Sequence, residues 1–120
     1  MTDQELYDAA VAASQAAYAP YSKFLVGAAA LMRDGRVVTG VNVENASYPV
    51  GICAERCAIA RAVVEGAKPG DFEALGITAA PCGACRQWLH EFRFDRVAFM
   101  HEGELLVRRP DELLPDSFEL

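Results

Sequence analysis

The sequence predicts an α/β fold, a mixed sheet covered by helices on both faces in a three-layer α/β/α sandwich. Three observations predict it. Apolar runs of strand length alternate with segments of helical period, in the order α-β-β-α-β-α-β-β. A chain of 120 residues that is 52% hydrophobic holds enough apolar material for one compact core and too little for two. No internal repeat, low-complexity tract or linker divides it, so residues 1–120 read as one domain.

Each element has a local reason. Leu6, Ala9, Ala10, Ala13, Ala16 and Ala17 recur at helical spacing, which predicts an amphipathic helix over roughly residues 3–17, with Thr2 or Asp3 as its cap and Pro20 beyond its end. Residues 24–32 (FLVGAAALM) read as a buried strand, and Arg33-Asp34-Gly35-Arg36 as a hairpin turn into a second strand over 37–43. Gly27, Ala28, Ala29 and Ala30 leave room for something bulky packed closely on the first strand. After a loop over 45–52, the run AERCAIARAVVE predicts a helix over 54–65 that stops at Gly66 and Pro69. A third strand fits 74–79, and Pro81 is placed to open a helix reaching about Glu91. Strands over 96–100 and 105–108 flank a Glu102-Gly103-Glu104 turn, and the tail RPDELLPDSFEL reads as a helical turn or extended arm. Trp88 and Leu89 are expected in the core, and His90 and His101 on surfaces.

Charge and composition exclude several function classes. A net charge of -6, with 11 basic residues spread along the chain, argues against a nucleic-acid surface and suits a small neutral substrate. The N-terminal stretch opens with acidic residues and lacks a basic start followed by an apolar block, and no stretch approaches the roughly 18 apolar residues of a membrane span. The expectation is a soluble cytoplasmic protein with no nucleic-acid or membrane partner. In such a compartment the four cysteines point to metal binding or thiol chemistry ahead of disulfides.

Three of those cysteines stand at the openings of the two central helices. Cys53 lies in Cys-Ala-Glu-Arg, and Cys82 and Cys85 lie in Pro-Cys-Gly-Ala-Cys. A Cys-x-x-Cys pair at a helix start puts both sulfurs on one face of the first turn, so both reach one ion. Zinc is tetrahedral, and three protein ligands leave its fourth position to water, the pattern of a catalytic site. Helix N-termini add partial positive charge that favours thiolates. Three thiolates around a divalent cation still need a cationic neighbour, and Arg56, one turn from Cys53, can donate hydrogen bonds to the sulfurs. Glu55 projects differently, beside the water position, where a carboxylate can take a proton and return it to a substrate nitrogen. That set suits hydrolysis of an amino group on an aromatic ring.

These residues resemble the homotetrameric zinc-dependent cytidine deaminase family over nearly the whole chain. The matching stretches are Pro20 to Ala29, Gly40 to Tyr48, Cys53-Ala54-Glu55-Arg56, Pro81 to Gln87, and Glu112-Leu113-Leu114-Pro115 ahead of Phe118. Zinc deaminases pair a three-cysteine ligand set with a glutamate that is not a ligand, and the assignment here is a match to that pattern. The resemblance implies a five-stranded mixed sheet between helices, one zinc ion per subunit on Cys53, Cys82 and Cys85, and Glu55 as the catalytic residue. It implies conversion of cytidine and deoxycytidine to the corresponding uridines, a hydrolase reaction of pyrimidine salvage. Asn42 and Glu44 match the pair that binds the ribose hydroxyls, Phe24 the aromatic residue beside the nucleoside, and Ala46, Tyr48 and Ala54 further substrate-binding positions. Phe118 matches a phenylalanine supplied by a neighbouring subunit, which makes a homotetramer part of the active site.

Two features depart from the pattern. The connection from the third strand into Pro81 is shorter than the family leads one to expect, which reshapes the pocket rim, and Cys57 is not part of the motif. Three other readings stand beside the main one: a deaminase of a related aminopyrimidine or nucleoside analogue; a non-catalytic zinc-stabilised binding module whose fourth ligand is Cys57, His90 or His101; and a redox Cys82-x-x-Cys85, which leaves Cys53-Ala-Glu-Arg unexplained. A buried free thiol is the ordinary role for Cys57.

Overall fold

The computed structural model describes Met1–Leu120 throughout. The first helix, α1 (Asp3–Ser14), starts where the Thr2 hydroxyl accepts the Glu5 backbone N–H at 3.1 Å and the Glu5 carboxylate accepts the Thr2 N–H at 2.7 Å. This reciprocal pair satisfies two N–H groups that a helix start leaves free. The chain then forms the hairpin β1 (Gly27–Met32) and β2 (Val37–Val41), helix α2 (Ala54–Val64), strand β3 (Phe72–Ile77), helix α3 (Gly83–Glu91), the hairpin β4 (Arg96–His101) and β5 (Glu104–Arg108), and a helical turn α4 (Pro110–Leu113). Five strands make one mixed sheet in the order β2-β1-β3-β4-β5, parallel only between β3 and β4 and antiparallel elsewhere.

Strand periodicity sorts the core into two layers. Ala29, Leu31 and Ala74 meet Leu6 and Ala10 of α1 on one face. Ala28, Ala30, Met32, Leu75, Ile77 and Val97 meet Ala58, Ile59 and Leu89 of α2 and α3 on the other. The predicted three-layer architecture is therefore the one observed. The bulky neighbours of the small residues in β1 are the helices themselves. A Cβ added at Gly27 would strike the backbone of α1 at Ala10 and Ser14, and one at Gly40 would strike the backbone of α2 at Ala54 and Ala58. Glycine at position 40 thus seats the first turn of α2 directly on the sheet.

Several predicted boundaries move, each for a visible reason. The first helix ends at Ser14 and not at residue 17, because Tyr18 leaves to bridge Val43. The first strand starts at Gly27, since residues 24 and 26 are engaged by the Asn42 side chain. The second strand ends at Val41, and Val43 makes only isolated bridges to Tyr18 and Ile52. The third strand runs over Phe72–Ile77, two residues before the predicted span, and Ala79 and Ala80 line a cleft instead. Pro81 precedes the N-cap Cys82, so it does not occupy the first helical position assigned to it. Leu89 is fully buried, whereas Trp88 is half-buried and stacks on Phe92 at 5.9 Å. The tail is a helical turn at α4 followed by an irregular stretch.

Candidate active site

Two helix starts converge beneath one cleft. Cys53 is the N-cap of α2 and Cys82 the N-cap of α3, and neither thiol caps its own helix by a side-chain hydrogen bond. Both sulfurs are left to face each other, at 3.8 Å, and Cys85, fully buried one turn into α3, places its sulfur 3.4 Å from that of Cys82. All three lie within 4.8 Å of one another. Sulfurs bound tetrahedrally at about 2.3 Å from one zinc ion stand roughly 3.8 Å apart, so the donor set fits that metal. Cys57, His90 and His101 are all outside the cluster. Three sulfur donors without a fourth protein ligand are the pattern of an open coordination site, not of a closed structural one.

The electrostatics point the same way. Burial pushes the Cys85 thiol well above the ordinary thiol range, and the Glu55 carboxylate and the neighbouring cysteines push it further. Burial also pushes Cys82 upward, but hydrogen bonds from the Cys85 backbone N–H and from the other two thiols bring it below its ordinary value. Acidic groups that oppose one another's ionisation in a shared pocket define a place for a cation. The protein's own cation there is Arg56, whose Nη2 donates to Cys53 Sγ at 3.4 Å. Its Nε is buried without a partner.

Glu55 is 3% exposed and belongs to no ion pair. Burial raises its carboxyl above the usual carboxylate range, against the pull of its own backbone N–H, of Cys85 and of Arg56. A carboxyl so placed exchanges a proton more readily near neutral pH than an exposed one does.

Above this floor lies a cleft of about 830 Å³. Phe24, Asn42, Glu44, Ala46, Tyr48, Ala54, Glu55 and Arg56 all line it with Cys53 and Cys82, so residues far apart in sequence come together as expected. Ala79 and Ala80 line it too, from the short connection between β3 and α3. Phe118 is the exception. It is absent from the cleft and 67% exposed, on a tail held by Gln87 Nε2, which donates to the Phe118 carbonyl at 2.9 Å. His90 Nε2 adds contacts of 2.9 Å to Ser117 and to Glu119, a role that the sequence did not disclose.

Asn42 and Glu44 also serve the chain itself. Asn42 Oδ1 accepts the Val26 N–H at 2.9 Å and its Nδ2 donates to the Phe24 carbonyl at 2.9 Å. Glu44 Oε1 accepts the N–H groups of Tyr21 and Ser22 at 3.0 and 3.1 Å. The alternation of polar and apolar residues in the 41–44 segment signalled that these side chains share a face, but not that they anchor the neighbouring 21–26 segment.

Three thiols at paired helix starts beside a buried carboxyl form a candidate metal centre with an acid–base group next to it. Residues 1–101 match the cytidine and deoxycytidylate deaminase zinc-binding region, and the chain belongs to that family. A cytidine deaminase from Halalkalibacterium halodurans is 42% identical over 127 residues, covering 98% of this chain and 95% of that one. A cytidine deaminase from Mycobacterium tuberculosis is 46% identical over 117 residues, covering 92% and 85%. The crystal structure of cytidine deaminase from Burkholderia pseudomallei, 45% identical, superposes with a TM-score of 0.91 over 98% of this chain and 100% of that one.

Proposed function

We propose that this chain catalyses the hydrolytic deamination of cytidine and deoxycytidine to uridine and deoxyuridine, with release of ammonia. The observation that carries the reading is Glu55, buried beside a cluster of three thiols in a chain 42–46% identical to cytidine deaminases. Cys53, Cys82 and Cys85 would hold one zinc ion per subunit, and Arg56 would offset the charge of the thiolates. When bound there, zinc supplies the Lewis acidity that brings the pKa of a water ligand down to about 7.

Glu55 moves the protons. Its carboxylate takes one from the attacking water as the new C–O bond forms at C4 of the pyrimidine, and delivers it to ring N3. A second proton, from the oxygen now on C4, passes through Glu55 to the exocyclic amine. The C–N bond then breaks, ammonia leaves, and N3 keeps its proton in the uracil ring. The buried setting suits this double duty, because a carboxyl with a raised pKa is both a competent acid and a competent base.

The cleft orients the nucleoside. Asn42 and Glu44 face the sugar hydroxyls, Phe24 lies beside the base, and Ala46, Tyr48 and Ala54 complete the wall. Phe118 projects from a tail anchored to its own α3 and covers the pyrimidine of a neighbouring subunit, so the active form is a homotetramer with shared sites. The whole chain serves as one catalytic domain, acting in pyrimidine salvage in the cytoplasm. No helix is long and apolar enough to cross a membrane.

The test is ammonia release, followed with the ultraviolet change, from the zinc-loaded protein incubated separately with cytidine and with deoxycytidine. Turnover of both is expected. Turnover confined to another aminopyrimidine would instead favour an analogue deaminase with a rim reshaped at Ala79 and Ala80.

A further inference from the structure

The segment 21–26 lines the cleft next to Asn42 and Glu44, to which it is hydrogen-bonded, yet it has no regular structure and is largely exposed. Within it Lys23 adopts φ +62, a left-handed conformation that a residue with a side chain rarely takes. Such a conformation persists only where neighbouring bonds over-determine it. The Lys23 N–H donates to the Ala19 carbonyl at 3.0 Å, and two further bonds meet at one atom beside it. Ser22 Oγ accepts the Phe24 backbone N–H at 3.0 Å, bridging across Lys23, and donates its own proton to Glu44 Oε2.

The geometry of the carboxylate gives that proton a definite task. Glu44 Oε1 is held by two backbone N–H groups, from Tyr21 and Ser22. Oε2 receives only the Ser22 hydroxyl. The bonds at Oε1 form a pivot, and without Ser22 the group is free to turn about it. With the Ser22 proton in place, both carboxylate oxygens are bonded and the orientation of the group in the cleft lining is fixed. The same hydroxyl, through Phe24 N–H, ties this orientation to the position of the aromatic side chain. Consistent with these contacts, hydrogen bonds from Ser22, first its side chain and then its backbone, hold the Glu44 carboxyl below the usual carboxylate range.

We infer that Ser22 is a positioning residue for nucleoside binding, its hydroxyl setting the angle of the Glu44 carboxylate toward the sugar hydroxyls and coupling it to Phe24. This rests on the deaminase reading given above. Ser22 itself makes no chemical step and acts only through its two partners. The contribution is to binding shared by ground state and transition state, so it falls on KM and not on kcat.

The experiment is a double-mutant cycle on the zinc-loaded protein, with cytidine turnover as readout. Ser22→Ala is expected to raise KM about tenfold with kcat within about twofold, the loss typical of a hydrogen bond to a charged group. Ser22→Thr, which keeps the hydroxyl, is expected to restore KM to near the parent value. In a Glu44→Ala background, Ser22→Ala should lower kcat/KM by no more than about threefold further, since one of its two partners is already gone and only the link to Phe24 remains. Ser22 is exposed, so these substitutions leave the core untouched, and thermal midpoints are measured to verify it. A full tenfold effect persisting in the Glu44→Ala background, or a loss confined to kcat, or no rescue by threonine, would overturn the inference while leaving the deaminase reading intact. A parent protein without cytidine turnover would remove that reading, and the inference with it.

Discussion

The floor and the walls of the cleft are built by different means. The floor is fixed by regular structure: Cys53 and Cys82 are N-caps, Cys85 and Glu55 sit in first turns, and α2 rests on β2 at Gly40 with no space for a Cβ. The walls at 21–26 and 42–47 lie outside the regular strands, pinned by isolated backbone bonds such as Asn42 N–H to the Val26 carbonyl at 3.1 Å and by side-chain hydrogen bonds of Asn42, Glu44 and Ser22. Exposure follows the same division. Glu55 and Cys85 are buried, with Cys82 the exposed exception on the floor, while Phe24 and Tyr48 on the walls are 60% and 91% exposed. On the proposed reading, the group that exchanges protons out of bulk water is placed by the fold, and the groups that admit and release a substrate are placed by loops.

This contrast can be broken or sharpened by substitution. The largest effect is expected at the floor, where Cys85→Ala should reduce zinc retention in metal analysis and bring turnover below about a hundredth of the parent, because three donors are the minimum for an open tetrahedral site. Arg56→Gln should keep the metal but lower kcat/KM by about tenfold to a hundredfold, the range for groups that hydrogen-bond to metal ligands. Gly40→Ala tests the seat of α2 without touching any reacting group. Its Cβ would meet backbone atoms of Ala54 and Ala58, so a stability loss of about 1–3 kcal/mol is expected in chemical denaturation. The smallest effect belongs to the tail, outside the cleft of its own chain: Phe118→Ala should raise KM about threefold to tenfold with thermal stability unchanged, the scale of one aromatic contact. Unchanged kinetics there would remove Phe118 from the site, and a loss of kcat equal to that of Cys85→Ala would erase the distinction between floor and tail.

Legibility in the sequence divides along the same line. The floor could be read because its signals are local: Cys-Ala-Glu-Arg and Pro-Cys-Gly-Ala-Cys each lie at the start of a helical pattern, and helix geometry then decides what the side chains face. The sheet and its helices could be read from periodicity for the same reason. The walls were legible only as stretches resembling a family, since nothing in the spacing of Ser22 and Glu44, 22 residues apart, states that they touch. The strand ends at Gly27 and Val41 moved because Asn42 engages the wall at Val26, a tertiary contact that no window of local sequence contains. The tail was least legible. Gln87 and His90 look like ordinary positions of α3 until the chain returns to place Ser117 and Phe118 against them.

On the proposed reading, metal retention and proton transfer belong to different residues: Cys53, Cys82 and Cys85 at two helix starts hold the ion, and Glu55, two residues beyond Cys53, moves the protons. Zinc content and ammonia release from cytidine, measured on a single preparation of Glu55→Gln, test it most directly. The expected result is zinc retained at the parent level with turnover reduced by at least about a hundredfold, the lower end of what a positioned acid-base group contributes. Turnover near the parent level, or loss of zinc together with turnover, would contradict it.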